Sequence, residues 1–235
     1  MPQEPFQEKP LIQCHIVLVP IKELQGHEQI VQAQVDWLKI NLTKLGYFFR
    51  PILIVKNHNV ILDGHHRVVA LQQLGYSKVP CIEVIYLNNE DIQLGTWYPV
   101  YTGKGKKRFP SAFKKIGVEW ERLDTFSVDV LSNPSYGFIL KTSKSQFMIK
   151  GTQQEIYAKF LDYYNPELFE YVKTLDYALH LIDNKRATFI LARKTLTKED
   201  VLETAKKGMP LAPKTTRHIL SFTYQDIKVP LNNLV

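Results

Sequence analysis

Two hydrophobic periods run along this chain, one near 3.6 residues and one near 2. In "HEQIVQAQVDWLKINLTKLG", residues 27–46, Val31, Val35, Leu38, Leu42 and Leu45 recur at steps of 4, 3, 4 and 3. That spacing gathers apolar side chains on one helix face, and Gly46 is a natural stop. "HHRVVALQQLG" predicts a second helix closed by Gly75. Short apolar runs around them read as strands: "HIVLVPI" as a buried one, then "RPILIVKN" and "NVILD" about a polar turn at Asn57 to Asn59, then "VPCIEVIYL".

After "TWYPVYTG" the pattern changes. "YGFILKTSKSQFMIKG" predicts a β-hairpin and "QQEIYAKFLDYY" a helix; "LDYALHLIDN" continues as helix and "RATFILAR" is a buried strand. "TKEDVLETAKKG" carries its own punctuation: Thr197 as N-cap, two acids in the first turn, two lysines in the last and Gly208 as stop. The fold class is therefore mixed α/β. The division falls into a core over residues 1–103 and a second mixed region over 104–235, whose last segment, about 209–235, is proline-rich and polar with apolar anchors.

Composition narrows the function classes. With 235 residues, 45% apolar and 23% charged, the chain is long enough for a sizeable core and ordinary for a globular protein. No run approaches the roughly 18 to 20 apolar residues of a membrane span. "MPQEPFQEKPLIQ" lacks the basic start and apolar stretch of a secretory signal, and Cys14 and Cys81 are the only cysteines. A reduced, cytoplasmic protein without membrane attachment is the expectation. A formal charge of +7 favours anionic partners. The one dense basic cluster, "KGKKR" at residues 104–108, has no interleaved aromatics and reads as a solvated loop, so nucleic acid is not the expected partner.

Four stretches carry candidate chemistry. In "ILDGHHRVV" a strand runs directly into Gly64 and a helix opens behind it. A helix N-terminus offers unpaired N–H groups and a partial positive charge, so this junction suits a phosphate, with His65, His66 and Arg67 as further donors. The competing readings are a polar helix start capped by Asp63, and a metal site. The metal site is disfavoured because adjacent histidines on a helix diverge by roughly 100°. In "GHE" Glu28 stands where the first helix is expected to begin. It serves there either the helix dipole or, facing the junction, as a general base. "PKTTRH" sets Thr215, Thr216, Arg217 and His218 in a donor-rich row, unless Thr215 only caps a short helix. In "TWYP" Trp97 is core or ligand wall.

"RPILIVKNHNVILDGHHRVVALQQLG" resembles the nucleotide-binding core of the ParB/sulfiredoxin superfamily, over about residues 15–86. Sulfiredoxin has a catalytic cysteine where His65 stands, and ParB proteins continue into helix-turn-helix elements that are not evident here. "GHEQIVQ", "DGHHR", "TWYP", the segment ending at Gly208, "PKTTRHILSF" and "IKVPLNNLV" together resemble the free serine kinase family, in order and over nearly the whole chain. That resemblance implies an enzyme that phosphorylates L-serine to O-phospho-L-serine with ADP or ATP and Mg²⁺, for cysteine or related biosynthesis. It implies Glu28 as the base and Asp63 beside the transferring phosphoryl group, assisting the base or ordering Mg²⁺. Gly64, His65, His66 and Arg67 would hold nucleotide phosphates, with Arg50 a further contact. Trp97, Thr215, Thr216, Arg217 and His218 would wall and anchor serine, the closing segment returning to the active site. No Walker A sequence or protein-kinase glycine loop is present. The alternative from another class is a ParB-like, nucleotide-switched DNA-binding regulator, whose DNA affinity would fall with salt.

Overall fold

A computed structural model describes residues 9–103 and 109–235; the basic cluster at 104–108 lies outside them. Among the described residues the helices are α1 (Gln32–Leu45), α2 (His65–Gln73), α3 (Phe109–Ile116), α4 (Gln153–Tyr163), α5 (Leu175–Asp183) and α6 (Lys198–Lys207). The chain divides into two compact units, the first made of residues 1–94, 197–213 and 218–235, the second of 95–196 and 214–217. The sequence-based division is a single cut after residue 103, whereas the units interleave and the chain passes between them four times.

The first unit is built on a mixed sheet of four strands in the order Ile16–Pro20, Lys78–Val84, Ile52–Val55, Ile61–Asp63. Ile52–Val55 runs parallel to Lys78–Val84 and antiparallel to Ile61–Asp63. The hairpin between Ile52–Val55 and Ile61–Asp63 turns on Asn57 and Asn59, both in the left-handed region at φ 65 and 53, a conformation asparagine tolerates. Alternate residues explain the unbroken apolar run "ILIV": Ile52 and Ile54 pack with Val35, Leu42, Val68 and Leu71 of α1 and α2. Leu53 and Val55 pack on the other face with Val201 and Ala205 of α6. A strand covered on both sides carries no polar residue. Ile16–Pro20 is an edge strand rather than a buried one; Val19 is buried, but Leu18, on the opposite face, is 47% exposed. Leu231 and Leu234 of the C-terminal turn complete the α1/α2 core.

In the second unit six antiparallel strands run in the order Phe169–Val172, Tyr98–Tyr101, Phe189–Ala192, Tyr136–Lys141, Gln146–Lys150, Trp120–Leu123. α5 packs Ala178, Leu181 and Ile182 against Val100, Ile139 and Ile190. A second core is aromatic: Phe189 stacks on Tyr101 at 5.0 Å between ring centroids and meets Tyr164 at 5.0 Å and Phe160 at 5.9 Å. The predicted hairpin over 136–151 is present. α4 and α5 are not continuous; Asn165–Pro166 ends the first helical stretch and the strand Phe169–Val172 intervenes. No helix among the described residues is long and apolar enough to cross a membrane.

Candidate functional site

The strand Ile61–Asp63 ends at Gly64, the N-cap of α2, where the backbone adopts φ 111. A side chain there would be strained: besides the left-handed backbone, a Cβ would lie 2.5 Å from Cδ1 of the fully buried Ile52, which would have to shift. No side chain caps the helix, so the N–H groups of its first turn have no carbonyl to bond within it. Asp63 does not cap. It pairs instead with Arg67 one turn on, Nη2 donating to Oδ2 at 2.8 Å. Arg67 also donates through Nη1 to the carbonyls of Arg50 at 2.5 Å and Pro51 at 2.9 Å. This differs from the expectation of a guanidinium open to phosphate: Arg67 is buried and its two terminal nitrogens tie the strand entrance to the helix. Arg50 is the exposed arginine here, its Cζ 5.3 Å from the Tyr224 ring centroid. A hydrogen bond to Tyr224, and more weakly the charges of Asp63 and Asp226, hold its pKa up.

The histidines separate into distinct roles. Val31 donates its N–H to Nε2 of His66 at 3.0 Å, tying α2 to the start of α1. His27 donates its N–H to Nε2 of His65 at 3.2 Å, which leaves the hydrogen of neutral His65 on Nδ1. The rings of His27 and His65 are 4.7 Å apart and those of His27 and His218 5.7 Å apart. Nδ1 of His27 donates to the carbonyl of Ile61 at 2.8 Å, and Nε2 of His218 meets the Tyr86 hydroxyl at 2.9 Å. Burial lowers the pKa of His27 to about 4 and that of His218 to about 3, and holds His65 well below 6.5, with the neighbouring imidazoles adding to the effect on His65 and His218. All three are neutral near pH 7.

Glu28 is not on a helix. α1 begins only at Gln32, and Glu28 lies in an extended stretch bridged to Leu211. On either side of it, Gln29 donates to the Leu211 carbonyl and Leu211 to that of His27, both at 2.8 Å. The extended backbone turns Glu28 into the wall of a cavity of about 290 Å³, shared with Gly26, His65, Val69 and Gln72. Glu28 and His65 thus line one cavity.

Trp97, Thr215, Thr216 and Arg217 all belong to the second unit, while His218 belongs to the first. Thr215 begins no helix; its carbonyl accepts from Thr96 Oγ1 at 2.7 Å. The Trp97 ring has Nζ of Lys214 at 5.4 Å and Cζ of Arg217 at 5.6 Å from its centroid. The sequence does not single out His27, Tyr86, Tyr224 or Arg193. His27 was visible only as a neighbour of Glu28, and nothing in local spacing marks the others. Among the described residues no group of three His, Cys, Asp or Glu could hold a metal by itself.

No family model matches the chain. It is 32% identical over 231 residues to the ATP-dependent L-serine kinase of Staphylothermus marinus, covering 93% of this chain and 90% of that protein. It is 31% identical to the ADP-dependent L-serine kinase SerK of Thermococcus kodakarensis, with 98% and 97% covered. A solved structure of a free serine kinase in complex with AMP is similar with a TM-score of 0.87, 29% identity and 98% of each chain covered.

Proposed function

This chain belongs to the L-serine kinase family, and on that premise we propose that it transfers a phosphoryl group from ADP or ATP to the hydroxyl of free L-serine. The observation that carries the chemistry is the shared cavity wall of Glu28 and His65, next to a helix N-terminus that Gly64 leaves open. In the transfer, the serine oxygen bonds to the terminal phosphorus and the bridging P–O bond breaks. The hydroxyl proton passes to the Glu28 carboxylate, and O-phospho-L-serine and AMP or ADP leave. Such a reaction demands positioning and charge stabilisation more than covalent chemistry from the protein.

The first-turn N–H groups of α2 and Nδ1–H of His65 suit the phosphates as donors that carry no full charge. Arg50 supplies a full positive charge, and Arg67 supports the junction through Asp63 and the carbonyls of Arg50 and Pro51. Mg²⁺ fits as an ion that arrives with the nucleotide. It commonly takes one or two carboxylates together with substrate phosphates, and Asp63 is a half-exposed carboxylate engaged through Oδ2. When bound, Mg²⁺ neutralises phosphate charge. Trp97, Thr215, Thr216 and Arg217 are the serine wall, the cations at the Trp97 ring matching the serine carboxylate. Cys14 and Cys81 are free thiols, in keeping with work in a reducing cytoplasm, where the product would serve cysteine or related biosynthesis.

The test is incubation of the full chain with L-serine, Mg²⁺ and either ADP or ATP, scored by mass spectrometry. O-phosphoserine formed with at least one donor is the expected result.

A further inference from the structure

Strand register brings one residue outside every motif into the serine wall. Phe189–Ala192 runs antiparallel to Tyr98–Tyr101, with Phe189 opposite Tyr101 and Ile190 opposite Val100. Carried three residues on, that register sets Arg193 opposite Trp97. Arg193 is 1% exposed. Its Nε and Nη2 donate to the Trp97 carbonyl at 2.9 and 2.6 Å, Nη2 to the Lys214 carbonyl at 2.5 Å, and Nη1 to Thr215 Oγ1 at 3.1 Å. The guanidinium lies over Phe138, its Cζ 5.7 Å from the ring centroid. The Thr96 hydroxyl adds a second tie between the same two segments, to the Thr215 carbonyl at 2.7 Å.

Burying a guanidinium costs solvation that a neutral donor would not lose. An arginine adds a rigid planar fork that fixes the directions of acceptors on two chain segments at once, whereas a lysine ammonium is a compact point charge with no such fork. The acceptors of these four hydrogen bonds belong to Trp97, Lys214 and Thr215. Serine is small and offers few contacts, so its affinity depends on holding them at fixed separation. We propose that Arg193 is a positioning residue for the serine wall, clamping the Trp97 main chain to residues 214–215 so that the Trp97 ring, Thr215 and Arg217 keep the spacing the amino acid needs. This rests on the serine kinase reading above.

The test is steady-state kinetics of the full chain as wild type, Arg193→Lys, Arg193→Met and Thr96→Val, with nucleotide affinity and melting temperature measured on each. Both Arg193 variants are expected to raise the serine KM by about tenfold or more, with a smaller change in kcat and nucleotide Kd within about twofold of wild type. Thr96→Val, which removes only the second tie, is expected to raise serine KM about threefold. A wild-type protein with no serine turnover overturns the functional reading and this proposal with it. Wild-type turnover together with an unchanged serine KM in a folded Arg193 variant overturns the clamp alone. A fall in melting temperature with serine KM and nucleotide Kd worsening together shows a purely structural tie, and also overturns it. If neither Arg193 variant folds, Thr96→Val decides: a raised serine KM supports the clamp and an unchanged one refutes it.

Discussion

On the proposed reading, the α2 junction and the Trp97 wall each hold an anionic group of a substrate, and they are built from opposite materials. At the junction the central side chains are three neutral imidazoles: His27 donates to the Ile61 carbonyl, His65 accepts from the His27 backbone N–H, and His218 meets the Tyr86 hydroxyl. At the wall the central side chain is a permanently charged, buried guanidinium. The surroundings follow suit. Aliphatic residues pack both faces of the strand that leads to Gly64, while Arg193 lies on an aromatic ring. Neutral groups can donate or accept without adding a full charge of their own to the one a bound nucleotide would bring. An arginine that spends its donors on two main-chain carbonyls and a threonine hydroxyl acts through geometry.

The sharpest break in this comparison comes at Glu28. Glu28→Gln keeps the shape of the cavity wall but removes the proton acceptor, so kcat should fall by about 10²–10⁴-fold with nucleotide Kd nearly unchanged. Wild-type turnover in that variant would remove the base from the junction. Acid should strike the neutral side next. His27 is neutral in the fold with a pKa lowered from 6.5 to about 4, so the unfolded chain binds the proton first. Its contribution is full above pH 6.5 and is lost as pH falls towards 4, a loss of about 3 kcal/mol at about 1.4 kcal/mol per pH unit. Denaturant melts between pH 7 and 4 measure it; a flat profile would mean that the imidazole takes up its proton in the fold as readily as in the unfolded chain.

Gly64→Ala should cost about 1–3 kcal/mol, because it combines a left-handed backbone with a Cβ pressed on Ile52. It should also weaken nucleotide binding, whereas an equally destabilising change far from the junction should not. The smallest effect is expected from Tyr86→Phe. Losing the hydroxyl on His218 removes one hydrogen bond of 2.9 Å, worth about 1 kcal/mol in the denaturation midpoint.

The junction was legible because its parts are neighbours in sequence. A strand, a glycine and a helix start at Gly64 and α2 are visible in "ILDGHHRVV", and the stops at Gly46 and Gly208 are present with their left-handed backbones. What failed there was partnership rather than place. Spacing cannot say that Arg67 turns to the carbonyls of Arg50 and Pro51, nor that Glu28 is extended and bridged to Leu211, 183 residues further along the chain. The wall was legible only in pieces. Trp97 and the 215–217 run stood out, but the arginine that joins them follows a strand whose register is a property of the folded sheet. The interleaving of the two units was hidden for the same reason: α6 and the C-terminal turn return to the first unit through apolar contacts that local periodicity does not specify.

The most direct measurement is O-phosphoserine formation from L-serine by the wild-type chain and its Glu28→Gln variant, with ADP and ATP offered separately and nucleotide binding followed in parallel. Product from the wild type with at least one donor, and almost none from a variant that still binds nucleotide, is the predicted result. Nucleotide binding by both proteins with no phosphoserine from either would contradict the account.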